Sequence, residues 1–368
     1  MRIGLDLTHC YQRNGGIQRY AIQLARALLE IDVQNQYVLF FRGDMREEFI
    51  GLNAEIYVSP IKHQVLCEQT WLFMAARRAH LDVFHLTGFG GPLAYSGKSV
   101  ITICDMNQFL YSSTMKRSQK MYWGLLFPLS LRRRDRLITI SANSQNDISR
   151  LLHVPSNNIT VIPLAASSVF FEAPPEQALK QVAREYALPD HFFLAVGTLE
   201  PRKNHVRLLD AYANVVREHE SVPPLVFAGR PGWLYEPVRQ RIIDLNLTER
   251  VRFAGFVSDT DLSRIYRLAV ALLYPSIYEG FGLPILEAMA SGCPVLTSNV
   301  SSMPEVAGDA AHYVDPIDLN SLTSGIRTML DRKYRAELVE RGFRRVRQFS
   351  WQRTAEETLS VYKTLQHV

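Results

Sequence analysis

Strand-like and helix-like segments alternate in both halves of this 368-residue chain, and this pattern is the strongest constraint on its fold. Short apolar runs such as "RIGLDL" and "YVLFF" are typical of buried strands, and segment 17–30 between them has apolar residues at helical spacing. Strands that alternate with helices form a parallel sheet with helices on both faces. The sequence therefore predicts an α/β protein.

The alternation begins again in the second half of the chain. The strand-like runs "FFLAVGT", "PLVFAG", "VRFAGFV", "VALLYPS" and "PVLTS" alternate with helical segments at 204–218, 236–245, 259–267 and 284–291. Between the halves, residues 161–176 are rich in proline and small residues, which is typical of a linker. Because the chain exceeds the roughly 100–200 residues of one domain, we expect two domains.

We place the N-terminal domain at 1–165 and the C-terminal domain at 166–349. The final segment, 350–368, is predicted to be an amphipathic helix that Ser350 caps and that packs back across the domain junction. Its expected apolar side consists of Trp351, Leu359, Tyr362 and Leu365.

Composition excludes several other classes of protein. Hydrophobic residues make up 47% and charged residues 21% of the chain, so it is not disordered. Its apolar runs are shorter than the roughly 20 residues of a membrane span, and we expect neither a span nor a signal peptide. The four widely spaced cysteines form no disulfide pattern. We therefore expect a cytoplasmic protein.

The net charge of +5 is too small to indicate a nucleic-acid partner, and we expect none. Its distribution is uneven, however, because basic residues flank the run "MYWGLLFPLSL". One interpretation is an ordinary surface helix beside a core-packed one. The other is a patch that contacts an anionic membrane face, where each basic residue contributes about 1 kcal/mol. The residues are Lys116, Arg117, Lys120, Arg132, Arg133, Arg134 and Arg136.

Residues 278–292, "YEGFGLPILEAMASG", place two acids around a glycine-rich bend at the start of a helix. The free amides of a helix N-terminus bind phosphate, and Gly280 and Gly282 let a phosphate approach the backbone. Glu279 and Glu287 should then accept hydrogen bonds from sugar hydroxyls. The alternative is that Glu279 is solvated and that Glu287 complements the helix dipole.

Two other loops have the same character. In "LAVGTLEPRKNH", Arg202 and Lys203 are predicted to open a helix, where basic charge is unfavourable unless an anion binds. In "HCYQRNGGIQRYA", Gly15 and Gly16 open the first helix. An ordinary solvated charge pair and an ordinary turn are the alternatives. Three such loops from two sheets predict one diphosphate held in a cleft.

The motifs "EPRKN" and "YEGFGLPILEAMASGCPV", together with "GGIQRYA", resemble the retaining glycosyltransferases of family 4. The likeness covers most of the chain and is strongest over 194–307. It implies the GT-B fold, in which two Rossmann-like domains face each other across a deep cleft. It also implies a nucleotide-sugar donor, a glycan or lipid-linked acceptor, and no metal or other cofactor.

The form of "EPRKN" resembles members that use GDP-mannose. We therefore expect a mannosyltransferase that acts in the synthesis of bacterial polysaccharide, such as lipopolysaccharide, with retention of the anomeric configuration. By the resemblance, Arg202 and Lys203 neutralise the diphosphate, Glu279 is catalytic beside the anomeric carbon, and Glu287 binds the ribose. The remaining donor-binding residues would be Gly15, Gly16, Val257, Gly280, Phe281, Gly282 and Leu283.

One position departs from the family pattern. Members commonly have His-Asp after a strand of the first domain, whereas this chain reads "TICDMN", with Cys104 in place of the histidine. A thiol does not donate like an imidazole. Asp105 is kept as a catalytic candidate. His85 is a second candidate near the acceptor, although a structural role is the preferred interpretation.

The acids of "SDTDLSR" match a metal-binding D-x-D pattern, but Ser258 with Asp261 also forms a helix cap, which we prefer. A dehydrogenase is disfavoured because no G-x-G-x-x-G follows the first strand. Three competing hypotheses stay open: transfer from a UDP-sugar donor, a nucleotide-sugar epimerase or hydrolase, and a non-enzymatic sugar-nucleotide binding protein.

Overall fold

Each half of the chain forms its own parallel sheet. In the computed structural model, unit 1 consists of Met1–Leu164 and Ser350–Val368, and unit 2 of Ala165–Phe349. The structure describes residues 1–10, 15–43, 49, 51–88, 90–111, 121–132, 134–219, 221–230, 232 and 235–366. Unit 1 is thus discontinuous in sequence, whereas unit 2 is a single segment.

The sheet of unit 1 has seven strands in the order β3-β2-β1-β4-β5-β6-β7, and every described pair is parallel. Parallel strands covered on both faces are apolar along their whole length. Accordingly, Ile3, Leu5 and Leu7 of the central strand are fully buried. The strands are β1 (Arg2–Leu7), β2 (Gln36–Arg42), β3 (Ala54–Ser59), β4 (Val83–Leu86), β5 (Ser99–Thr102), β6 (Arg136–Thr139) and β7 (Ile159–Val161).

The sheet of unit 2 has six parallel strands in the order β10-β9-β8-β11-β12-β13. Its central strands are also buried along their length. The strands are β8 (Phe193–Val196), β9 (Leu225–Ala228), β10 (Val251–Gly255), β11 (Ala271–Tyr274), β12 (Val295–Ser298) and β13 (Ala311–Val314).

Helices connect most successive strands. Two short segments are π-helical, Cys67–Leu72 and Tyr122–Leu126. The α-helices are α1 (Gly16–Ile31), α2 (Gln64–Leu66), α3 (Phe73–Arg78), α4 (Asn107–Leu110), α5 (Phe127–Leu131), α6 (Ala142–Leu152), α7 (Glu176–Glu185), α8 (His205–Glu218), α9 (Glu236–Asp244), α10 (Asp259–Leu268), α11 (Leu283–Ala290), α12 (Met303–Ala307), α13 (Leu319–Thr328), α14 (Arg332–Val346) and α15 (Trp351–Thr364).

Both sheets reverse their strand order at one place. In unit 1 the chain proceeds outward from β1 to β3 and then returns to the other side of β1 as β4. In unit 2 it proceeds from β8 to β10 and returns as β11. Ligands of open α/β sheets bind at the carboxyl ends of strands beside such a switch point. The loops after β1 and β4, and those after β8 and β11, are therefore the places for sites.

The sequence analysis did not predict the edge strands β3 and β13. Several residues of each are only partly buried. An edge strand has a neighbour on one side alone, so its apolar pattern is weak, and neither segment has the run of apolar residues that marks the central strands.

Helix α15 packs within unit 1, against α1. Ser350 caps it, as predicted, by accepting a hydrogen bond from the amide of Arg353 at 3.1 Å. Its buried side differs from the predicted one, because Trp351 and Leu359 are only partly buried. Threonine and alanine permit close packing there, and the buried residues are Thr354, Ala355, Thr358, Val361, Tyr362 and Leu365.

The basic segment is less uniform than its sequence suggests. Arg134 is buried rather than part of a surface patch, and its guanidinium donates to the carbonyls of Ser130 and Pro92, each at 2.9 Å. Arg132 is exposed. Lys116, Arg117, Lys120 and Arg133 lie outside the described residues. Among the helices of the described ranges, none combines the length and the apolar character that crossing a membrane requires.

Candidate active site

In unit 2, hydrogen bonds to backbone carbonyls join the loops at the switch point. Arg202 and Lys203 lie in a short 3-10 turn after β8, and the amide of Ile277, after β11, donates to the Arg202 carbonyl at 2.8 Å. The side-chain Nδ2 atom of Asn204 donates to the backbone carbonyls of Pro275, at 3.2 Å, and Pro316, at 2.6 Å. These bonds fix where the side chains of the two loops meet.

The meeting point is a cluster of ion pairs around Glu279. Its Oε2 atom lies 2.6 Å from Nη1 of Arg202, and its Oε1 atom lies 2.7 Å from Nζ of Lys203. Nη2 of Arg202 also contacts Oε1 of Glu200 at 2.6 Å. Burial by itself raises the pKa of Glu279, but the Lys203 and Arg202 charges outweigh it and lower the pKa to about 2. Glu279 is therefore ionised at neutral pH.

This geometry changes two sequence-based expectations. Glu279 is only 7% exposed, so the interpretation that it is solvated is wrong. The basic pair does not open the helix either, because Arg202 and Lys203 precede α8, and Asn204, with φ of 63°, caps it. Their charge is offset within the chain by Glu279 and Glu200, so the unfavourable dipole does not by itself require a bound anion.

Tyr274 completes the cluster and was missed by the sequence analysis. Its hydroxyl accepts a hydrogen bond from Nζ of Lys203 at 2.6 Å, and the ammonium lies 4.6 Å from the ring centroid. Burial, and then the Glu279 charge, raise the pKa of Tyr274 well above its usual range. Tyr274 positions Lys203 as a neutral partner. As the last residue of a buried strand it is indistinguishable from core in the sequence.

The glycine-rich bend after Glu279 is held by two serines from the loop after β12. Oγ of Ser302 donates to the carbonyls of Glu279, at 2.9 Å, and Phe281, at 2.8 Å. Oγ of Ser301 donates to the Glu279 carbonyl at 2.8 Å and accepts from its amide at 3.1 Å. Nothing in the spacing of "SNVSSMPE" marked these serines. They fix the backbone that carries Glu279.

The bend leads directly into α11. Gly282 is the N-cap residue, with φ of 102° and no side-chain cap, so a side chain there would be strained. Gly280, Phe281 and Leu283 are buried. The first turn of α11 thus begins four residues after Glu279, and a phosphate contact with its amides stays a prediction.

Glu287 lies on the buried face of α11 and is 1% exposed. The hydroxyl of Tyr266 donates to its Oε2 atom at 3.3 Å. Glu287 is therefore a buried, hydrogen-bonded acid, and its contact with the ribose stays a prediction. Val257, one of the predicted donor-binding residues, is buried after β10, next to exposed Phe256. The Arg230 guanidinium lies 4.3 Å from the centroid of the Phe256 ring.

In unit 1, Gly15 and Gly16 lie at the exposed start of α1. A β-carbon on Gly15 would lie 2.4 Å from Oε1 of Gln18, whereas one on Gly16 would meet open space. Within the described part of the chain no side chain caps this helix, and its first turn has no acidic residue. Both glycines are exposed, and the anion site predicted at this helix start stays a prediction.

The Cys104–Asp105 pair follows β5. Burial, and then the Asp105 charge, raise the pKa of the Cys104 thiol, which is therefore neutral and donates weakly. Asp105 is partly buried, and its Oδ1 atom accepts from the amide of Asn107 at 2.9 Å, next to α4. The departure from the family histidine is thus a neutral, buried thiol.

Two structural interpretations are confirmed. His85 is fully buried, with Nδ1 2.6 Å from the hydroxyl of Tyr362 and Nε2 2.8 Å from Oγ1 of Thr102. Burial lowers its pKa to about 3, so it is neutral. Ser258 caps α10 by accepting from the amide of Asp261 at 3.1 Å, which explains the acids of "SDTDLSR" as a helix start.

Two family models match this chain. Residues 14–166 match Glycosyltransferase Family 4, and residues 180–345 match Glycosyl transferases group 1. The chain is 34% identical over 270 residues to O-antigen chain mannosyltransferase B of Escherichia coli. The aligned region covers 73% of this chain and 71% of that protein. It is 32% identical over 229 residues to O-antigen chain mannosyltransferase RfbU of Salmonella typhimurium, covering 62% and 60% of the two proteins.

Another relative, the serotype-specific mannosyltransferase WbdA of Escherichia coli, is much longer, and the matched region spans 29% of it. Among solved structures, sucrose-phosphate synthase from Thermosynechococcus elongatus matches with a TM-score of 0.78 at 21% identity, over 100% of this chain and 99% of that one. The lipopolysaccharide glycosyltransferase WaaG matches with a TM-score of 0.75 at 14% identity, over 98% and 99%. These likenesses show the GT-B fold. With both family models and the 34% identical relative, the chain belongs to the group 1, family 4 glycosyltransferases.

Proposed function

We propose that this glycosyltransferase transfers mannose from GDP-mannose, with retention of configuration, to a glycan or lipid-linked acceptor in bacterial polysaccharide synthesis. The observation that carries the proposal is the cluster in which Arg202, Lys203 and Glu279 meet beside the first turn of α11. Departure of a nucleoside diphosphate builds negative charge, and fixed cations and amides stabilise that charge.

The ion pairs of this cluster have a counterpart in the proposed reaction. The cationic charge of Arg202 and Lys203 is balanced by Glu279 and Glu200 before the donor binds. In our proposal the diphosphate takes over the two cations. Glu279 then lies beside the anomeric carbon, where its charge stabilises the positive charge that develops on the sugar.

The choice of mannose rests on the "EPRKN" motif and on relatives named as mannosyltransferases. A thermal-shift screen with GDP-, UDP-, ADP- and dTDP-sugars tests it, since a ligand at 100 times its Kd stabilises by about 2.7 kcal/mol. Stabilisation by GDP-mannose is the expected result. Stabilisation by a UDP-sugar alone would contradict GDP-mannose as the donor. No thermal shift with any of the four classes of nucleotide sugar would contradict the proposed donor site.

Transfer, retention and metal independence need separate measurements. Product analysis with and without acceptor separates a transferase from an epimerase or hydrolase. The anomeric proton coupling of the product, measured by NMR, reports retention. We propose that no metal is needed, so activity should survive EDTA. Activity that disappears with EDTA and returns with Mn²⁺ would contradict this.

We also propose that the enzyme works in the cytoplasm, at the inner face of the membrane. Met121, Leu125 and Leu129 are 63%, 55% and 39% exposed, and they are spaced by four residues along consecutive helical segments of unit 1. Residues 106–134 of the sequence contain basic residues but no acidic one. An apolar stripe in a basic segment is suited to an anionic lipid surface.

Flotation with phosphatidylcholine vesicles, with and without phosphatidylglycerol, tests this contact. We expect binding only to the anionic vesicles and roughly tenfold weaker binding of Leu125→Gln, since burying a leucine contributes about 1.5–3 kcal/mol. Val33→Gln is the matched control, because Val33 is 84% exposed and lies outside the stripe. Equal binding to both kinds of vesicle, or by Leu125→Gln and the wild type, contradicts the proposal.

A further inference from the structure

The side chain of Tyr266 contacts the donor-site candidate Glu287 from a neighbouring helix. Tyr266 lies in α10 and Glu287 in α11, and the tyrosine hydroxyl donates to Oε2 of the carboxylate at 3.3 Å. Both residues are buried, and all other residues of α11 are apolar. Because buried polar groups are held by their hydrogen bonds, this hydroxyl limits the directions in which the carboxylate can point.

The linker between the two units reaches the same place through Phe170. This residue ends the short 3-10 turn Ser168–Phe170 and is fully buried. Its ring lies edge-on to the ring of Tyr266, with the two centroids 6.1 Å apart and an angle of 64° between the ring planes. Aromatic pairs prefer this arrangement. The ring of Phe170 therefore supports the orientation of the Tyr266 ring.

The backbone of Phe170 joins the linker to both helices. Its carbonyl accepts a hydrogen bond from Nη2 of Arg267, in α10, at 3.1 Å. It also accepts one from Oγ of Ser291, at the end of α11, at 3.3 Å. Nη2 of Arg267 donates to the carbonyl of Glu172 as well. The linker therefore helps to fix the spacing of the two helices that carry the hydroxyl and the carboxylate.

Ordinary core packing explains the buried rings but not the hydroxyl of Tyr266. A phenylalanine would fill nearly the same volume, and burying a hydroxyl costs free energy unless it forms a hydrogen bond. Here the bond goes to the carboxylate that we expect to contact the nucleotide. Phe170, Tyr266 and Glu287 all belong to unit 2, so this arrangement is complete within that unit.

We propose that Tyr266 is a positioning residue of the donor site and that Phe170 of the linker supports it. The inference rests on the proposed function, with Glu287 accepting hydrogen bonds from the ribose hydroxyls of the donor. Tyr266 fixes the direction of the carboxylate before the nucleotide binds, so less conformational freedom is lost on binding. The linker thus contributes to nucleotide affinity in addition to connecting the units.

The test measures how strongly the full chain prefers GDP over 2′-deoxy-GDP and 3′-deoxy-GDP. Calorimetric titration gives the Kd of each nucleotide for the wild type, Tyr266→Phe and Phe170→Leu. We expect the wild type to bind at least one deoxy analogue about tenfold more weakly than GDP, because a hydrogen bond to a charged group is lost.

Tyr266→Phe keeps the ring and removes the hydroxyl. GDP should bind about three- to fivefold more weakly to this variant, because its ribose meets a less ordered carboxylate. The analogue that lacks the contacting hydroxyl should bind as it does to the wild type, so the preference for GDP shrinks by the same factor. Phe170→Leu should reduce the preference by about twofold, because it removes the ring contact and leaves the hydroxyl.

Tyr212→Phe and Phe192→Leu are the matched controls in unit 2. Tyr212 is fully buried, and its hydroxyl donates to the carbonyl of Pro223 at 2.8 Å. Phe192 is fully buried at the amino end of β8. Both controls should keep the wild-type preference. A purely structural role of Tyr266 would weaken the binding of all three nucleotides equally, and that result, or unchanged binding, overturns the inference.

Glu287→Gln separates this inference from the proposed function. If Glu287→Gln loses the preference for GDP and Tyr266→Phe retains it, the ribose contact is supported and the inference is overturned. If Glu287→Gln retains the preference, the ribose contact is contradicted and the inference with it. Should UDP bind instead of GDP, the same comparison with UDP and its deoxy analogues decides the inference in the same way. Binding of neither nucleotide contradicts both.

Discussion

The two sheets have the same switch-point topology, but the pKa values of acids near the two switch points are shifted in opposite directions. In unit 2, Lys203 and Arg202 outweigh burial and lower the pKa of Glu279 to about 2. In unit 1, burial dominates: it raises the pKa of Asp6 to about 6 and that of Glu68 to about 7, and it lowers that of His9 to about 4. Near one switch point two cations thus favour the ionised form of an acid, whereas near the other burial disfavours the ionised form of two acids.

The difference shows how one topology can carry loops with different electrostatic properties. A leaving diphosphate needs fixed cations, and cations in a buried site need a counter-charge until the ligand arrives. An acceptor hydroxyl is uncharged and needs hydrogen-bonding groups whose desolvation is already complete. The strand order is the same in both units, whereas a few side chains decide the charge near each switch point.

The largest expected effect removes the charge at the centre of the unit 2 cluster. Glu279→Gln should lower kcat by about 10²–10³-fold, the range for losing one electrostatic contact to the transition state. GDP affinity should fall much less. The matched control is Glu200→Gln, which also removes a partner of Arg202. Near-normal turnover in Glu279→Gln would favour a non-enzymatic binding protein. It would also show that the charged cluster of unit 2 is not needed for transfer.

The next effect uses the pH dependence of stability in unit 1. Because the folded pKa of Glu68 is raised from 4.5 to about 7, its ionisation costs stability as pH rises through this window. Glutamine does not ionise, so Glu68→Gln should gain up to about 3 kcal/mol relative to the wild type at pH 8 and nothing at pH 4.5. Urea unfolding at both pH values measures this. A difference in unfolding free energy that is the same at both pH values would contradict the raised pKa of Glu68.

Glu279 should show the opposite sign. Its folded pKa is lowered from 4.5 to about 2, so its stabilisation is present above pH 4.5 and is lost as pH falls towards 2. Glu279→Gln should therefore be destabilised at pH 7, with the difference shrinking in acid.

A smaller effect separates the two acids of unit 2. Glu287→Gln should weaken GDP binding about tenfold and change kcat less, because a hydrogen bond to a charged group contributes about 1.5–3 kcal/mol. Calorimetric titration with GDP gives the affinity. Glu236→Gln is the control, since its side chain is 82% exposed. Loss of kcat with unchanged affinity would exchange the roles proposed for Glu287 and Glu279.

The smallest effect tests a neutral contact of unit 1. Tyr362→Phe removes the hydroxyl that bonds to His85 and should cost about 1 kcal/mol, or roughly 2–4 °C in Tm. The thermal shift caused by GDP, which reports on unit 2, should be unchanged. If that shift is lost, the two units do not behave independently in this measurement.

Much of the fold follows from the sequence because the central strands are buried on both faces and read as apolar runs. The glycine bend at 280–283 and the Ser350 cap also follow, since both depend on local conformation. The edge strands β3 and β13 do not, because partial burial removes their pattern.

The site is predictable in part for the same reason. Arg202, Lys203 and Glu279 are identified as types of residue in suitable loops, but their mutual ion pairs join positions far apart in the sequence. Tyr274 resembles a core residue until the fold brings its partners to it. No local pattern contains that information.

The position of α15 has a consequence for synthesis on the ribosome. Unit 2 is complete once residue 349 has emerged, but unit 1 must wait for residues 350–366, including the Tyr362 partner of His85. At about 5–20 residues per second, roughly 10–40 s separate the end of the first part of unit 1 from its last helix. During that interval the α1 surface that α15 will cover is exposed to water.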